Sequence, residues 1–600
     1  MFSKLARIYR PAAWIPTICC LVFLIIFGLA CTTSFQVEET TIAQVHAAME
    51  RGELTAQELV QKYLDRIEAY DKQGPFINSL VTINPRAMER ARELDDLFAR
   101  SGFVGPLHGI PVIVKDNYDT FDLPTTNGTL ALKGSIPPDD AFQVRRLREA
   151  GAIILAKSNL AEFASSGAFT VSSILPGYTH NPYDPLRSTA GSSGGTGAAI
   201  AANFATVGLG TDTGSSIRGP ASHQSLVGFR TTMGLSSRDG IAPLSATRDV
   251  GGPMARTVED AVAVLEVIAG PDPADPVTSK GEGKIPEDYR QFLDSGGLSG
   301  ARIGVLRQLF EVEDTFDQEM PQTGSESSDT PSENQTEAGN SEPEDRQGES
   351  RQQHAGRQQH AGNRQQHADD SRQQGKQDEQ EESQEEPEPR KVHPEILRLM
   401  DRALADLKVA GAIVLDPVEI ADMDEIRKDF PRIRRLKYDF EKYLASRPEV
   451  PFKTIEEILE SGDFHPYLRL NLERTKEVDY VPEEHEDYPK YLETEERLRA
   501  AVLKVMEENQ LDALIYPTFN YPPRLIGDLN TGYGGNSGTL SPPTGFPAFN
   551  VPMGYSFGRL PAGLQFLGRP FAEGTLIRLC YAYEQATHHR RPPDTTPPLR

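Results

Sequence analysis

Positive charge is scarce in this 600-residue chain: 62 lysines and arginines face 87 aspartates and glutamates, for a net charge of −25. With a pI near 5.0 the surface repels a phosphate backbone, so nucleic acid is a poor partner and none is expected. Cysteine is scarcer still. The four are Cys19, Cys20, Cys31 and Cys580, too few and too badly spaced for a disulfide framework or a CxxC metal or redox pair. Cys580 lies in the mostly apolar run Leu576 to Tyr581 and reads as a core residue. Apolar side chains make up 38% of the chain, below the globular average. That shortfall is concentrated in one stretch.

Between Gln322 and Lys391 the only apolar side chains are four alanines, and 17 acidic residues stand against 8 basic ones. Arg-Gln-Gln-His-Ala occurs three times, starting at Arg351, Arg357 and Arg364. So little apolar surface cannot offset the entropy of ordering, and the segment reads as a disordered acidic, Gln-rich insert. Its histidines, His354, His360 and His367, read as a solvated repeat rather than a metal site. The insert interrupts a strand-then-helix passage, Ile303 to Leu306 and Pro394 to Val409. The expected organisation is therefore a leader at 1–31, one folded domain split into 32–321 and 392–600, and the insert 322–391 between its halves.

Lys4, Arg7 and Arg10 precede an apolar run from Ala12 to Ala30, the pattern of an export signal. Gly28-Leu29-Ala30-Cys31 resembles a bacterial lipobox, although leucine normally stands one place earlier. Three outcomes stay open: lipidation at Cys31, an uncleaved single-span anchor, or plain secretion. The expectation is an exported protein of the bacterial envelope, attached to the membrane through its amino end. Oligomeric state is not legible.

Thr55-Ala-Gln-Glu58 has the form of a capping box, and Leu59, Tyr63, Ile67 and Tyr70 follow at helical spacing. Short apolar runs then alternate with helical patterns: Pro111 to Val114, Ala152 to Ala156, Ala205 to Leu209, Ala301 to Leu306, Gly411 to Leu415 and Leu511 to Tyr516. This alternation predicts an α/β/α sandwich around a large mixed, largely parallel sheet.

Three segments carry chemistry. Gly109-Ile-Pro-Val-Ile-Val-Lys115-Asp116-Asn117 places a lysine directly after an apolar strand, where burial lowers proton affinity and a neutral amine can act as a base. Ser188-Thr-Ala-Gly191-Ser192-Ser193-Gly194-Gly195-Thr196-Gly197 is a serine-glycine loop opening a small-residue helix. In Gly208-Leu-Gly-Thr211-Asp212-Thr213-Gly214-Ser215-Ser216-Ile217-Arg218 a strand feeds a tight turn, so that a serine hydroxyl stands beside several backbone N–H groups. That arrangement suits acyl transfer. Gly191-Ser192-Ser193-Gly194-Gly195 also satisfies the G-x-S-x-G nucleophile elbow, but residues 181–187 before it read as loop rather than buried strand. A Ser-His-Asp site would have to draw on His108, His223, His465 or His485, and no spacing favours one.

Together the three segments resemble the amidase signature family, with 24 residues separating Ser192 from Ser216 as the family requires. Pro106-Leu-His-Gly-Ile-Pro-Val112, Ala156-Lys-Ser-Asn-Leu-Ala-Glu-Phe163, Gly251-Gly-Pro-Met254 and the run Pro561 to Pro570 are similar to family passages. Ser215 departs from the glycine of many members. The resemblance implies Lys115 as base, Ser192 on a cis peptide as bridge and Ser216 as nucleophile. It also implies an oxyanion hole from the backbone of Thr213, Gly214, Ser215 and Ser216, with Ser193, Asp212 and Arg218 bracing the loops. The expected reaction is cofactor-free and metal-free cleavage of a small-molecule or peptide amide. Two alternatives remain: a glutamyl-tRNA amidotransferase-like subunit, and a non-catalytic envelope binding protein on the same fold.

Overall fold

The computed structural model describes residues 35–166, 168–310, 392–528 and 530–599. The leader with Cys31 and the insert 322–391 lie outside the described residues.

The strands among the described residues are Leu80–Ile83 (β1), Pro111–Lys115 (β2), Ile153–Ser158 (β3), His180–Asn181 (β4), Asp184–Ser188 (β5), Val207–Asp212 (β6), Val227–Arg230 (β7), Val250–Ala255 (β8), Arg302–Leu306 (β9), Ile413–Val418 (β10), Ala513–Pro517 (β11), Ala548–Ser556 (β12) and Leu560–Leu567 (β13). β4 and β5 form a small hairpin inside the stretch read as loop. The other eleven build one mixed sheet in the order β1-β3-β2-β6-β8-β7-β12-β13-β11-β9-β10. Every residue of β2, β3, β6 and β13 is buried, so helices cover the sheet on both faces there.

The sheet is less parallel than the sequence predicts. Parallel pairing joins β3, β2 and β6 near one end and β11, β9 and β10 at the other. Between these blocks β6, β8, β7, β12, β13 and β11 pair antiparallel throughout. All six of the short apolar runs in the sequence fall on the parallel strands. The central strands lack such runs because they carry proline, glycine and amide side chains within their buried lengths.

Thr55 caps the helix Ala56–Tyr70 through a full capping box with Glu58, and Leu59, Tyr63 and Ile67 face the core. From this helix Arg66, 1% exposed, donates to the carbonyls of Ala202, Asn203, Thr596 and Pro597 and pairs with Glu38. Cys580 is fully buried in the helix Glu573–Thr587. Phe310 and Val392, on either side of the insert, are hydrogen-bonded at 3.1 Å, followed by the helix Pro394–Val409. The helices Leu436–Ala445, Ile455–Ser461 and Arg469–Lys476 share a second apolar cluster with Ala131, Leu132, Phe163 and Ala242. No helix of the described residues is long and apolar enough to cross a membrane.

Candidate active site

β2 and β6 run side by side and parallel, so their carboxyl ends, Lys115 and Asp212, emerge at one edge of the sheet. Catalytic groups gather at such edges because the loops beyond parallel strands converge there. The helix Gly194–Ala201 packs onto the same two strands and brings Ser192 with it. Glycine is required for that approach. A Cβ on Gly194 would lie 2.0 Å from Thr170 Oγ1, and one on Gly195 would lie 2.3 Å from the Asn159 carbonyl.

Lys115 is fully buried, with Nζ 2.7 Å from Ser192 Oγ and 2.7 Å from Thr211 Oγ1. Thr211 Oγ1 also accepts from Asn117 Nδ2 at 3.1 Å. No carboxylate among the described residues lies within ion-pair distance of this amine. Burial pushes its pKa down to about 7 against the opposing pull of Asp249 and Asp212. The neutral amine that a proton acceptor needs is therefore populated near neutral pH.

The Gly191–Ser192 peptide is cis, as the resemblance implies, and the Ser192 side chain is fully enclosed. Ser193 ties the two serine loops together. Its hydroxyl donates to the Thr211 carbonyl at 3.1 Å, and its N–H donates to the Ser216 carbonyl at 3.3 Å. Ser216 stands on the turn after β6, 6% exposed, before the helix Arg218–His223. No hydrogen bond among the described residues takes the N–H of Gly214, Ser215 or Ser216, which leaves three donors on this turn for an oxyanion.

The turn is clamped from below. Arg218 forks onto both oxygens of Asp212, each at 3.1 Å, and Arg218 Nη2 reaches the Gly214 carbonyl at 2.8 Å. Burial alone would raise the Asp212 pKa; Arg218 and Arg230 outweigh it and hold the carboxyl at about 2. Sequence reasoning missed several neighbours. Asp249 accepts from the Thr213 hydroxyl and from the N–H of Leu244 and Ser245, fixing the front of the turn. Tyr533 Oη lies 2.8 Å from Ser215 Oγ. Glu162, pushed up to about 7 by burial, accepts from Ser173 and from the His465 N–H, next to Ala161, whose N–H holds the Ser192 carbonyl.

Among the described residues the four candidate histidines offer no rival site. His223 is buried and stacked on Phe519 at 4.0 Å, and neither ring nitrogen has a partner. His108 packs among His46, Phe98 and Phe103, while His465 and His485 spend Nδ1 on the N–H of Tyr467 and Asp487. None is hydrogen-bonded to Ser192 or Ser216. Among the described residues no group of three or more His, Cys, Asp and Glu side chains is placed to hold a metal; the repeat histidines His354, His360 and His367 lie outside them.

Known proteins resemble the chain over most of its length. The Amidase family profile matches residues 58–338 and 383–577. The Arabidopsis thaliana protein named "Probable amidase At4g34880" is 29% identical over 584 residues, 94% of this chain and 93% of that one. A glutamyl-tRNA(Gln) amidotransferase subunit of Moorella thermoacetica is 30% identical over 575 residues, 92% of this chain and 98% of its own. The native peptide amidase of Stenotrophomonas maltophilia superposes with a TM-score of 0.72 at 32% identity, over 93% of this chain and 99% of that one. The chain belongs to the amidase signature family and is an amide-hydrolysing enzyme.

Proposed function

We propose that the protein converts a primary carboxamide on a peptide or other small acyl chain to a carboxylate and ammonia, through an acyl-enzyme on Ser216. The observation that carries this reading is the 2.7 Å approach of a buried, unpaired Lys115 amine to Ser192 Oγ. Neutral Lys115 takes the Ser192 proton as Ser192 takes that of Ser216, whose oxygen attacks the amide carbon. The developing oxyanion is held by N–H groups of the 213–216 turn. Collapse of the adduct expels ammonia, which leaves with the proton returned through Ser192 from Lys115. Water, deprotonated by the same relay, then cleaves the Ser216 ester and restores the enzyme. The likeness to a peptide amidase over nearly the whole chain supports a peptide amide as substrate.

The amidotransferase relative favours a second reading, in which the ammonia is passed on to a misacylated tRNA. The net charge of −25 and the export pattern of residues 1–31 weigh against it. Ammonia release by the purified chain from a panel of peptide, aryl and aliphatic amides, without tRNA, is the expected result. Turnover only with a tRNA-bearing partner, or none at all, would overturn the proposal. The envelope location rests on the leader. Lipidation predicts loss of acyl labelling in Cys31→Ser, and an uncleaved anchor predicts no change.

A further inference from the structure

The helix that follows Ser216 ends at His223, whose buried ring lies against Phe519, and Tyr533 meets Phe519 edge-on at 5.1 Å. Phe519 also closes on Gly219, 3.3 Å from where a Cβ would stand. On the other flank Thr170 Oγ1 donates to the Ala190 carbonyl at 2.8 Å, which fixes Phe169 beside the loop that carries Ser192. An aromatic wall therefore runs along both serine loops. At its outer edge stands Arg524, with Cζ 4.5 Å above the Phe169 ring. Its Nη1 donates to the Thr531 carbonyl at 2.8 Å, its Nε is buried without an acceptor, and no carboxylate among the described residues pairs with it. The nearby Asp528 spends its oxygens on Thr531 and the N–H of Asn530, and feels the charge of Arg524 only as the smallest of the pulls that lower its pKa, from beyond ion-pair distance. His223 adds no charge of its own. Burial, together with the positive charge of Arg524, holds it neutral.

We propose that Arg524 is a specificity-determining residue that takes a carboxylate on the acyl portion of the substrate, with the Phe169–Phe519–Tyr533 wall receiving the rest of that portion. The assignment rests on the amidase function proposed for this site. When ammonia is the leaving group, nearly all of the substrate is acyl, so any recognition group beside the serines reads the acyl side. A guanidinium offers a planar fork of donors matched to a carboxylate. The Phe169 ring keeps water from one face of that fork, so an in-plane anion binds in a lower dielectric than at open surface. Preferred substrates are thus acidic carboxamides, such as amides of peptides ending in glutamate.

The test compares the amides of N-acetylglutamate and N-acetylnorleucine, which are close in length, on the full chain. Wild type is expected to favour the glutamate amide at least tenfold in kcat/KM, and Arg524→Met to bring that ratio near one, with Arg524→Lys between them. A wild-type preference for norleucine, or a ratio that survives Arg524→Met, would overturn the assignment; the second result would leave Arg524 as a brace for the Thr531 loop. Binding of both amides to Ser216→Ala, measured by calorimetry, separates the two levels of argument. An Arg524-dependent preference in binding without wild-type turnover sinks the amidase reading and keeps this one. Turnover without that preference does the reverse.

Discussion

Two lysines stand near the carboxyl ends of adjacent parallel strands, the last residue of β2 and the last but one of β3, are buried to the same depth, and live in different surroundings. Lys157, near the end of β3, has Asp116 at 3.2 Å and hydrogen bonds to the carbonyls of Tyr118 and Pro124 and the hydroxyl of Thr125. Lys115, at the end of β2, has two hydroxyls and, among the described residues, no carboxylate within ion-pair distance. Burial lowers the pKa of both amines, but in the first pocket an ion-paired carboxylate, Asp116, opposes it, whereas in the second only Asp249 and Asp212, beyond ion-pair distance, do so. Burial alone does not make a base. What separates the two is whether the fold supplies a counter-charge after removing the water.

Exchanging or deleting the two side chains breaks this contrast, and the largest effect belongs to Lys115. Lys115→Ala should lower kcat by ~10⁴-fold or more, as should Ser216→Ala, because members of a relay act as a unit. Circular dichroism should show the fold retained in both. Lys157→Met is expected to leave Asp116 buried and unpaired and to destabilise by about 3–5 kcal/mol in denaturant unfolding. A smaller cost would show that water reaches the pocket.

The contrast also has a pH signature. Lys115 ionises near 7 in the folded chain and is a base only when neutral, so kcat/KM should rise about tenfold per pH unit below 7 and level off above it. A flat profile from pH 6 to 8 would mean that the amine does not act as the base. The smallest effect runs the other way from the first. The folded chain binds fewer protons at Lys115 than the unfolded chain between pH 7 and 10.5, so its cost to stability falls as pH rises through that window. Lys115→Met removes that cost altogether. Because the hydrogen bonds of Lys115 to Ser192 and Thr211 are lost with it and leave those hydroxyls unmet, the net gain should be only about 1 kcal/mol at pH 7, in the manner of other catalytic groups that trade stability for function. A drop in melting temperature would instead give Lys115 a structural role.

The parallel blocks were legible as strands because each is a short apolar run with no polar interruption. The centre of the sheet was not, because its polar residues find partners that only the fold brings near. Asn550 accepts from Thr518 and donates to the Leu226 carbonyl, and Gln565 joins Tyr516 to Ser537. Within the site, the serine loops and Lys115 announced themselves through glycine and serine patterning. Thr211 sits in the same glycine-rich segment as Ser216 yet gives no sign of its role, since nothing local shows that its hydroxyl meets an amine 96 residues earlier. Tyr533, Phe519 and Arg524 come from the far side of the sheet. A cation with no carboxylate within ion-pair distance among the described residues is a property of three dimensions, and no spacing encodes it.

Arg66 has one more consequence, for truncated chains. Two of the carbonyls that satisfy its buried guanidinium belong to residues 596 and 597, about 530 positions downstream. A chain that stops short of them leaves part of this guanidinium without its acceptors, which weakens the hold of the helix Ala56–Tyr70 on the sheet. Residues 596 and 597 thus act as a check on the seating of the helix Ala56–Tyr70, and a chain truncated before Thr596 keeps the ion pair with Glu38 but leaves two buried hydrogen bonds of Arg66 unmade.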